Sequence, residues 1–412
     1  MLIMRVIAVI AEYNPFHKGH EYLIKRARES VGDPRAVVLS IMSGPFTQRG
    51  LPACCPKHIR AKQALRCGSD VVLELPFEFA CAPANEFAYG AVRSLMMTGV
   101  VTDIAFGTDG GTPSLIDTLA SPSLYGSPEY ERVLKQSLSD GLSFPASNAA
   151  AVEACISDPS VSECLRSPNS ILAIEYLKAM RTLGAGLKVH MISRAGSSYS
   201  SSDLPSDMPS ATAIRKALAS CGNSVSSAAG VLSASVPDRA AAVMLSALSS
   251  GSFEIASLDK YALRAVTTPI DDLTSIRFCG DGLGGYLANE LSELRASDVS
   301  FESLTRKLST KHFTMSRIYR ALTMAMLGIR SGSADSDPKY LRVLGFNHEG
   351  RYCLKIMGKC ASLPVIYNQS DMLGHPSLAR SLEITTAAEN LAASFMNVAP
   401  NSCWNDPPAA VK

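Results

Sequence analysis

"RVIAVIAEYNPFHKGHEYLIKRARES", residues 5–30, runs from an apolar stretch through a polar turn into a helical pattern. The stretch from Arg5 to Glu12 is rich in Val and Ile and has the length of a buried strand. After the turn, Leu23, Ile24 and Ala27 fall on one helical face. The same alternation recurs downstream. "AVVLSIMSG" (36–44), "DVVLELPF" (70–77), "DIAFGTD" (103–109) and "LKVHMISRAG" (187–196) read as strands, and "PKHIRAKQALRCG", "ANEFAYGAVRSLMMTG" and "SPNSILAIEYLKAMRTLG" read as helices between them. This predicts an α/β fold with a Rossmann-like, doubly wound parallel sheet. Residues 110–165, rich in Ser, Pro and Ala, break the rhythm and read as a helical insertion.

The Ser- and Ala-rich segment near 221–236 marks a junction. It divides the chain into an α/β domain, 1–225, and a mainly helical domain, 226–412. "YLRVLGFNHEGRYCLKIM" is expected to form a short strand and turn. The tail "NVAPNSCWNDPPAAVK" is expected to be weakly ordered. "GDGLGG" (280–285) lacks the Lys-Ser/Thr that closes a P-loop and reads as a helix start or loop.

With 47% hydrophobic and 18% charged residues among 412, the chain can bury a large core, which excludes a globally disordered protein. A net charge of +2 excludes pervasive positive charge, so any nucleic-acid footprint has to be local. Eleven cysteines, with no CxxC pair and no zinc-finger spacing, fit the reduced thiols of a cytosolic protein. The start lacks a small-residue cleavage site and no apolar stretch is long enough to span a bilayer, so a soluble, cytoplasmic protein is expected.

The chemistry concentrates in "AEYNPFHKGH", 11–20. His17 and His20 sit three apart around Gly19, where the first strand gives way to the first helix. The carboxyl ends of parallel strands are where such sheets bind ligands, and a helix start offers free N–H groups to phosphate. Gly19 permits close backbone approach. Two readings fit the histidines: they pack and cap the turn, or they donate hydrogen bonds to phosphate oxygens as charge develops. A metal site is not expected, because no third ligand has suitable spacing. The second constellation is "SATAIRKAL", 210–218. Ser210 is a candidate N-cap, the Thr212 hydroxyl can reach a phosphate, and Arg215 can hold a leaving pyrophosphate. Alone this is an ordinary capped surface helix; with HxGH at the front of the same fold it points to nucleotidyl transfer.

The two motifs resemble the nucleotidyltransferase superfamily, kin to class I aminoacyl-tRNA synthetases. The set "IAEYNPFHKGHEYL", "MSGPFTQRGLPA", "RAKQAL", "GSDVVLELP", "FAYGAV", "IAFGTD", "GLSFP", "SPNSILAIEYLKA", "SATAIRKAL", "KHFTMSRIYRAL" and "YLRVLGFN" occurs in order. Over most of residues 5–347 it is similar to the tRNA-Met cytidine acetate ligase family. That resemblance implies activation of acetate by ATP with Mg2+ and transfer of acetyl to the wobble cytidine of elongator tRNA-Met, with no membrane or protein partner. It implies an ATP site made of Ile10, Ala11, Glu12, Tyr13, Asn14, Pro15, Phe16, His17, Lys18, Gly19, His20, Glu21, Tyr22 and Leu23, with Gly107, Asn169 and Arg194. Ser210 and Thr212 complete the candidate ATP contacts, and His17, His20 and Arg215 are the candidate catalytic groups. Departures from the family pattern are Pro45 and Ser170, where Asn is frequent, and "AGSSYSSS" after Arg194.

Between Glu302 and Asp335 no residue is acidic, while Arg306, Lys307, Lys311, His312, Arg317, Arg320 and Arg330 fall in that window, interleaved with Phe313 and Tyr319. Lys311, Arg317 and Arg320 are the candidate RNA contacts, with Arg60 and Lys62 extending the track. A solvated helix face with core aromatics gives the same pattern. Two other functions stay open from sequence: a small-molecule adenylyltransferase, which needs no large helical domain, and an RNA-binding protein with a spent nucleotide site, against which the intact His17, Gly19, His20 and Arg215 count.

Overall fold

The computed structural model describes residues 4–193, 210–222, 224–297, 299–333, 336–405 and 407–411. Its sheet contains β1 (Val6–Ala11), β2 (Val37–Ser43), β3 (Val71–Leu75), β4 (Asp103–Thr108), β5 (Lys188–Ser193), β6 (Leu341–Phe346), β7 (Val365–Ile366) and β8 (Ala409–Ala410). The order is β5-β4-β1-β2-β3-β6-β7, with β8 pairing with β6. β1 to β5 are mutually parallel, as expected for the doubly wound fold. β6 joins antiparallel to β3, from a segment more than 260 residues downstream. The short strand expected near 340 is therefore an integral member of the same sheet.

β1 to β4 are buried almost throughout because both faces are covered, whereas the edge strand β5 is largely open. Along β1, Val6, Ala8 and Ile10 enter one core with Phe87 and Ala91 from the helix Ala84–Met97 and with Ala173 and Leu177 from the helix Pro168–Leu183. Ile7 and Val9 enter the other core, with Leu23 and Ala27 of α1 (Lys18–Val31) and Ala61 and Ala64 of α2 (Lys57–Arg66). α1 stops at Gly32, whose φ of 70° is left-handed and suits glycine. Residues 110–165 form the expected helical insertion, five helices from Pro113–Leu119 to Val161–Arg166.

A third core belongs to the helices between Leu258 and Met326 together with the helix Ala379–Phe395. Phe46 from the loop after β2, and Phe77 and Cys81 from beyond β3, are embedded in it. The strand ends that carry the candidate site thus abut the helical unit directly. "GDGLGG" is a helix start: Gly282, φ 83°, precedes the helix Leu283–Ser292.

The tail differs from the sequence expectation of weak order. Trp404 is buried, its Nε1–H donates to the Thr386 hydroxyl at 3.0 Å, and the Arg342 guanidinium lies 3.7 Å from the ring centroid. One large aromatic with a cation on its face outweighs a polar, Pro-rich composition. Arg342 also belongs to a buried charge cluster. Lys57 Nζ contacts both carboxylate oxygens of Glu74, at 2.7 and 2.8 Å, and also contacts Glu389, while Arg342 lies 3.3 Å from Glu74. Burial opposes the Glu74 charge, but Lys57 and Arg342 overcome it and hold that carboxyl below its ordinary range.

Candidate active site at the ends of β1 and β2

His17 is the N-cap of α1. Its Nδ1 accepts the Gly19 N–H at 3.1 Å, and His20 Nδ1 accepts the His17 N–H at 3.2 Å, which closes a capping box made of two imidazoles. The rings stack with centroids 3.8 Å apart, and the His20 ring also meets Tyr13 edge-on and Phe16 at a tilt. An accepting Nδ1 in a neutral ring puts the proton on Nε2, so each imidazole is a hydrogen-bond donor through Nε2. The cap reading holds: it fixes the rings and, in their neutral form, their tautomer, with Nε2–H as the donor each ring would present to an anion.

The remaining residues of the 10–23 segment sort by burial. Ile10, Tyr13, Asn14, Pro15, Phe16, Gly19 and Leu23 are buried and shape the turn; Ala11, Glu12, Lys18, Glu21 and Tyr22 are half-buried. Tyr13, at φ 49°, hydrogen-bonds the Ser40 hydroxyl at 2.7 Å, and burial pushes its phenol up to about 12. Asn14 Oδ1 accepts the Cys54 N–H at 2.8 Å, Glu12 Oε1 accepts the Gln48 N–H at 2.8 Å, and Lys18 Nζ donates to the Ala234 carbonyl at 2.8 Å.

Ser210 caps the helix Ala211–Ser220 as expected, accepting the Ala213 N–H at 3.2 Å. From that helix Arg215 donates to the Asn14 carbonyl at 2.8 Å and to the exposed Thr212 hydroxyl at 2.9 Å. The two constellations that sequence placed 200 residues apart are thus joined at one turn. Burial lowers the pKa of Arg215, and the charge of Arg49 adds to this, against Cys54 and Glu12.

Gly107 lies in β4 opposite Ile192 of β5. Asn169, in the first turn of its helix, donates to the carboxylate of Asp109, which also accepts from the Ser167 hydroxyl at 2.9 Å. Asp109 is the residue that sequence reasoning passed over, although it closes the "AFGTD" run directly after β4. Ser170, one of the departures, donates to the Asp109 carbonyl at 2.7 Å and so ties the helix to the strand end. Arg194 lies outside the described residues.

Pro45, the other departure, sits in a turn held without its missing N–H: Ala53 N–H donates to the Pro45 carbonyl at 2.9 Å and Thr47 N–H to the Leu51 carbonyl at 3.0 Å. Arg60 is fully buried and so cannot extend a basic surface track. It donates to the carbonyls of Glu12, Ser43, Gly44 and Cys55, stitching the ends of β1 and β2 together.

The basic window looks different in three dimensions. Lys311 is exposed. Arg317 is half-buried and donates to Asp281 and to the Gly280 carbonyl, each at 2.9 Å. Arg320, on the helix Met315–Met326, is only 7% exposed and donates to the Gln48 carbonyl at 2.9 Å. It is a tie between the helical unit and the loop after β2 and presents no open face to a phosphate. Lys307 pairs with Glu290 and Glu293, acids that lie outside the window. Tyr319 is a core residue stacked on Phe301. Among the described residues no three His, Cys, Asp or Glu side chains converge as a metal site, and no helix is long and apolar enough to cross a membrane.

The family model described as HIGH Nucleotidyl Transferase matches residues 4–404. Relatives named tRNA(Met) cytidine acetate ligase include those of Acetivibrio thermocellus, 32% identical over 94% of this chain and 94% of its own, and Syntrophomonas wolfei, 35% identical over 90% and 88%. The chain belongs to this ligase family. Among solved structures, Thermotoga maritima TmcAL bound with alpha-thio ATP superposes with a TM-score of 0.85 at 28% identity, covering 99% of this chain and 100% of that one. The apo form of the same Thermotoga protein gives 0.86. With membership in the ligase family, the expected doubly wound, nucleotidyltransferase-type sheet and its helical insertion stand as described.

Proposed function

We propose that the protein activates acetate with ATP and transfers the acetyl group to the exocyclic amine of the wobble cytidine in elongator tRNA-Met. In the first step an acetate oxygen bonds to the α-phosphorus, the α–β bridging P–O bond breaks, and pyrophosphate leaves with the electron pair. In the second the cytidine amine attacks the acetyl carbon, AMP departs, and the amine gives up a proton.

The observation that carries this reading is the meeting of the capped His17–His20 pair and Arg215 on the Asn14 turn. Two Nε2–H donors of neutral rings, the partial positive charge of the α1 N-terminus and the Arg215 guanidinium suit the charge that grows on a departing pyrophosphate. Gly107, and Asn169 held by Asp109, sit on the β4 side and are assigned to the nucleoside, as is Arg194 by family resemblance. Ser210 and Thr212 act at the start of the Arg215 helix. No described side chains converge to hold a metal; magnesium would arrive bound to phosphate oxygens and water and would offset charge on the leaving group. The names of the ligase relatives and the nucleotide on the Thermotoga protein support the choice of acetate ligation over a small-molecule adenylyltransferase.

Residues 1–225 carry adenylation, and the helical part of 226–412 holds the RNA. Lys311 is one exposed cation there; Arg317 engages phosphate by exchanging Asp281 for it. The cytoplasm, where tRNA and ATP coexist, is the site of action. Pyrophosphate exchange into ATP, measured with and without acetate and tRNA, tests the reading. Acetate-dependent exchange and N4-acetylcytidine in treated tRNA-Met are expected. Exchange indifferent to acetate would overturn it.

A further inference from the structure

Asp109 is the first residue past β4. That strand lies parallel beside β1, with Ala105 level with Val9, so Asp109 leaves the sheet at the same end as the His17–His20 turn. Its carboxylate accepts the Asn169 amide N–H at 2.5 Å and the Ser167 hydroxyl at 2.9 Å, and it forms no ion pair among the described residues. Two more bonds lock the backbone: the Ser170 hydroxyl donates to the Asp109 carbonyl at 2.7 Å and accepts the Asp109 N–H at 3.2 Å. Gly110 has φ 76°, and a β-carbon there would strike the Glu163 side chain, so the chain turns tightly away straight after Asp109.

A carboxylate only accepts hydrogen bonds, so the Asn169 amide has to turn its NH2 toward Asp109. Its Oδ1, the other corner of the amide, has no hydrogen bond among the described residues. Asn169 is half-buried, and Gly107, two residues before Asp109, is the one position of β4 that is not fully buried. The missing side chain leaves the strand open close to the carboxylate. Charge then orients a nucleotide in the crevice. A carboxylate with no ion pair repels polyphosphate, while the α1 N-terminus and Arg215 attract it. The neutral nucleoside is the end of ATP that suits the Asp109 side.

We propose that Asp109 is a positioning residue of the nucleoside subsite, holding the Asn169 amide so that Oδ1 faces the nucleotide and accepts a hydrogen bond from it. The matching chemistry is an N–H or O–H donor of the nucleoside: the 6-amino group of adenine or a ribose hydroxyl. A flipped amide would present NH2 instead and favour an acceptor, such as the 6-oxo group of hypoxanthine. Asp109 thus sets a preference of the site without touching the ligand. The inference rests on the reading of this crevice as the ATP site.

The test is calorimetric binding of ATP, inosine triphosphate, 2′-deoxy-ATP and 3′-deoxy-ATP to the full chain, with acetate-dependent pyrophosphate exchange measured alongside. The inosine nucleotide lacks the amine, and each deoxy nucleotide lacks one hydroxyl. The wild type is expected to bind one analogue about 10-fold more weakly than ATP, and that analogue identifies the donor. Asp109→Ala should weaken ATP binding about 3- to 10-fold and erase the discrimination, with the acetate KM unchanged. Asn169→Asp sets two carboxylates together and should bind ATP no better. Combined with Asp109→Asn it reverses the hydrogen bond yet still offers the nucleotide an oxygen, and should restore affinity and discrimination. Discrimination retained in Asp109→Ala, whatever its thermal stability, would make Asp109 only a tie between strand and helix and overturn the proposal. Equal wild-type binding of all four nucleotides would do the same. A wild type that binds no ATP removes the functional reading and this inference together; ATP binding with exchange that ignores acetate removes the acetate reading alone.

Discussion

Arg215 donates from its guanidinium to the main-chain carbonyl of Asn14 at 2.8 Å, across 201 residues of chain. This bond joins the helix that follows β5 to the turn that follows β1. Anything that moves one moves the other, so the cap histidines and the arginine act as a unit.

Replacing a cap histidine separates structure from chemistry. His17→Asn keeps a good N-cap and should change stability by no more than about 1 kcal/mol, because Asn ranks among the best caps. Its exchange rate should fall about 100- to 1000-fold with the loss of an oxyanion donor. His20→Ala should lose exchange while tRNA binding persists. Thermal melts, exchange rates and tRNA titrations check both; equal loss of stability, exchange and tRNA binding would mark the pair as structural.

Arg317 and Arg320, neighbours in one basic run, should behave differently. Arg320→Ala removes the donor to Gln48 and should cost about 1–3 kcal/mol and slow exchange, with the salt dependence of tRNA binding unchanged. Lys311→Ala with Arg317→Ala should weaken tRNA binding and flatten its salt slope by about 1 or more. Filter binding between low and moderate salt distinguishes them.

The Lys57–Glu74–Glu389–Arg342 cluster is buried beneath β3 and β6. Lys57→Met leaves two carboxylates facing one guanidinium and should cost about 3–5 kcal/mol in urea denaturation. A cost under 1 kcal/mol would mean that a neutral Glu389, whose pKa burial already raises, absorbs the change.

Asp103 sets an acid limb. Burial pushes its carboxyl up, but hydrogen bonds from Arg5, Thr102 and His190 win and hold it below the usual carboxylate range. Its folded pKa lies below the unfolded one, so its contribution is fully present above the unfolded value, about 4, and is lost as pH falls toward the folded value. Urea midpoints should therefore drop from pH 5 to pH 3. Asp103→Asn should be less stable at neutral pH and show a flatter acid limb.

Much of this was legible in the sequence. β1 to β4 announce themselves because a strand covered on both faces must be largely apolar, and HxGH marks its own helix start. The direction of β6 was not legible, because "YLRVLGFN" reads the same in a parallel or an antiparallel place; the path of the chain decides it. The guanidiniums were the hardest. Arg60 and Arg320 look like surface cations until the carbonyls of Glu12, Ser43, Gly44 and Gln48 appear beside them, and backbone partners leave no trace in composition. The basic window misled for a related reason: Asp281, Glu290 and Glu293 pair with it from outside its own stretch.

The antiparallel pairing of β6 with β3 also sets a timetable for synthesis. Residue 75 leaves the ribosome long before residue 341, so the growing chain carries an open β3 edge through most of its own translation. The same holds for any fragment cut near 225. Such a piece would bare that edge together with Phe46, Phe77 and Cys81, and should aggregate when expressed without the partner segment, whatever its intrinsic catalytic competence.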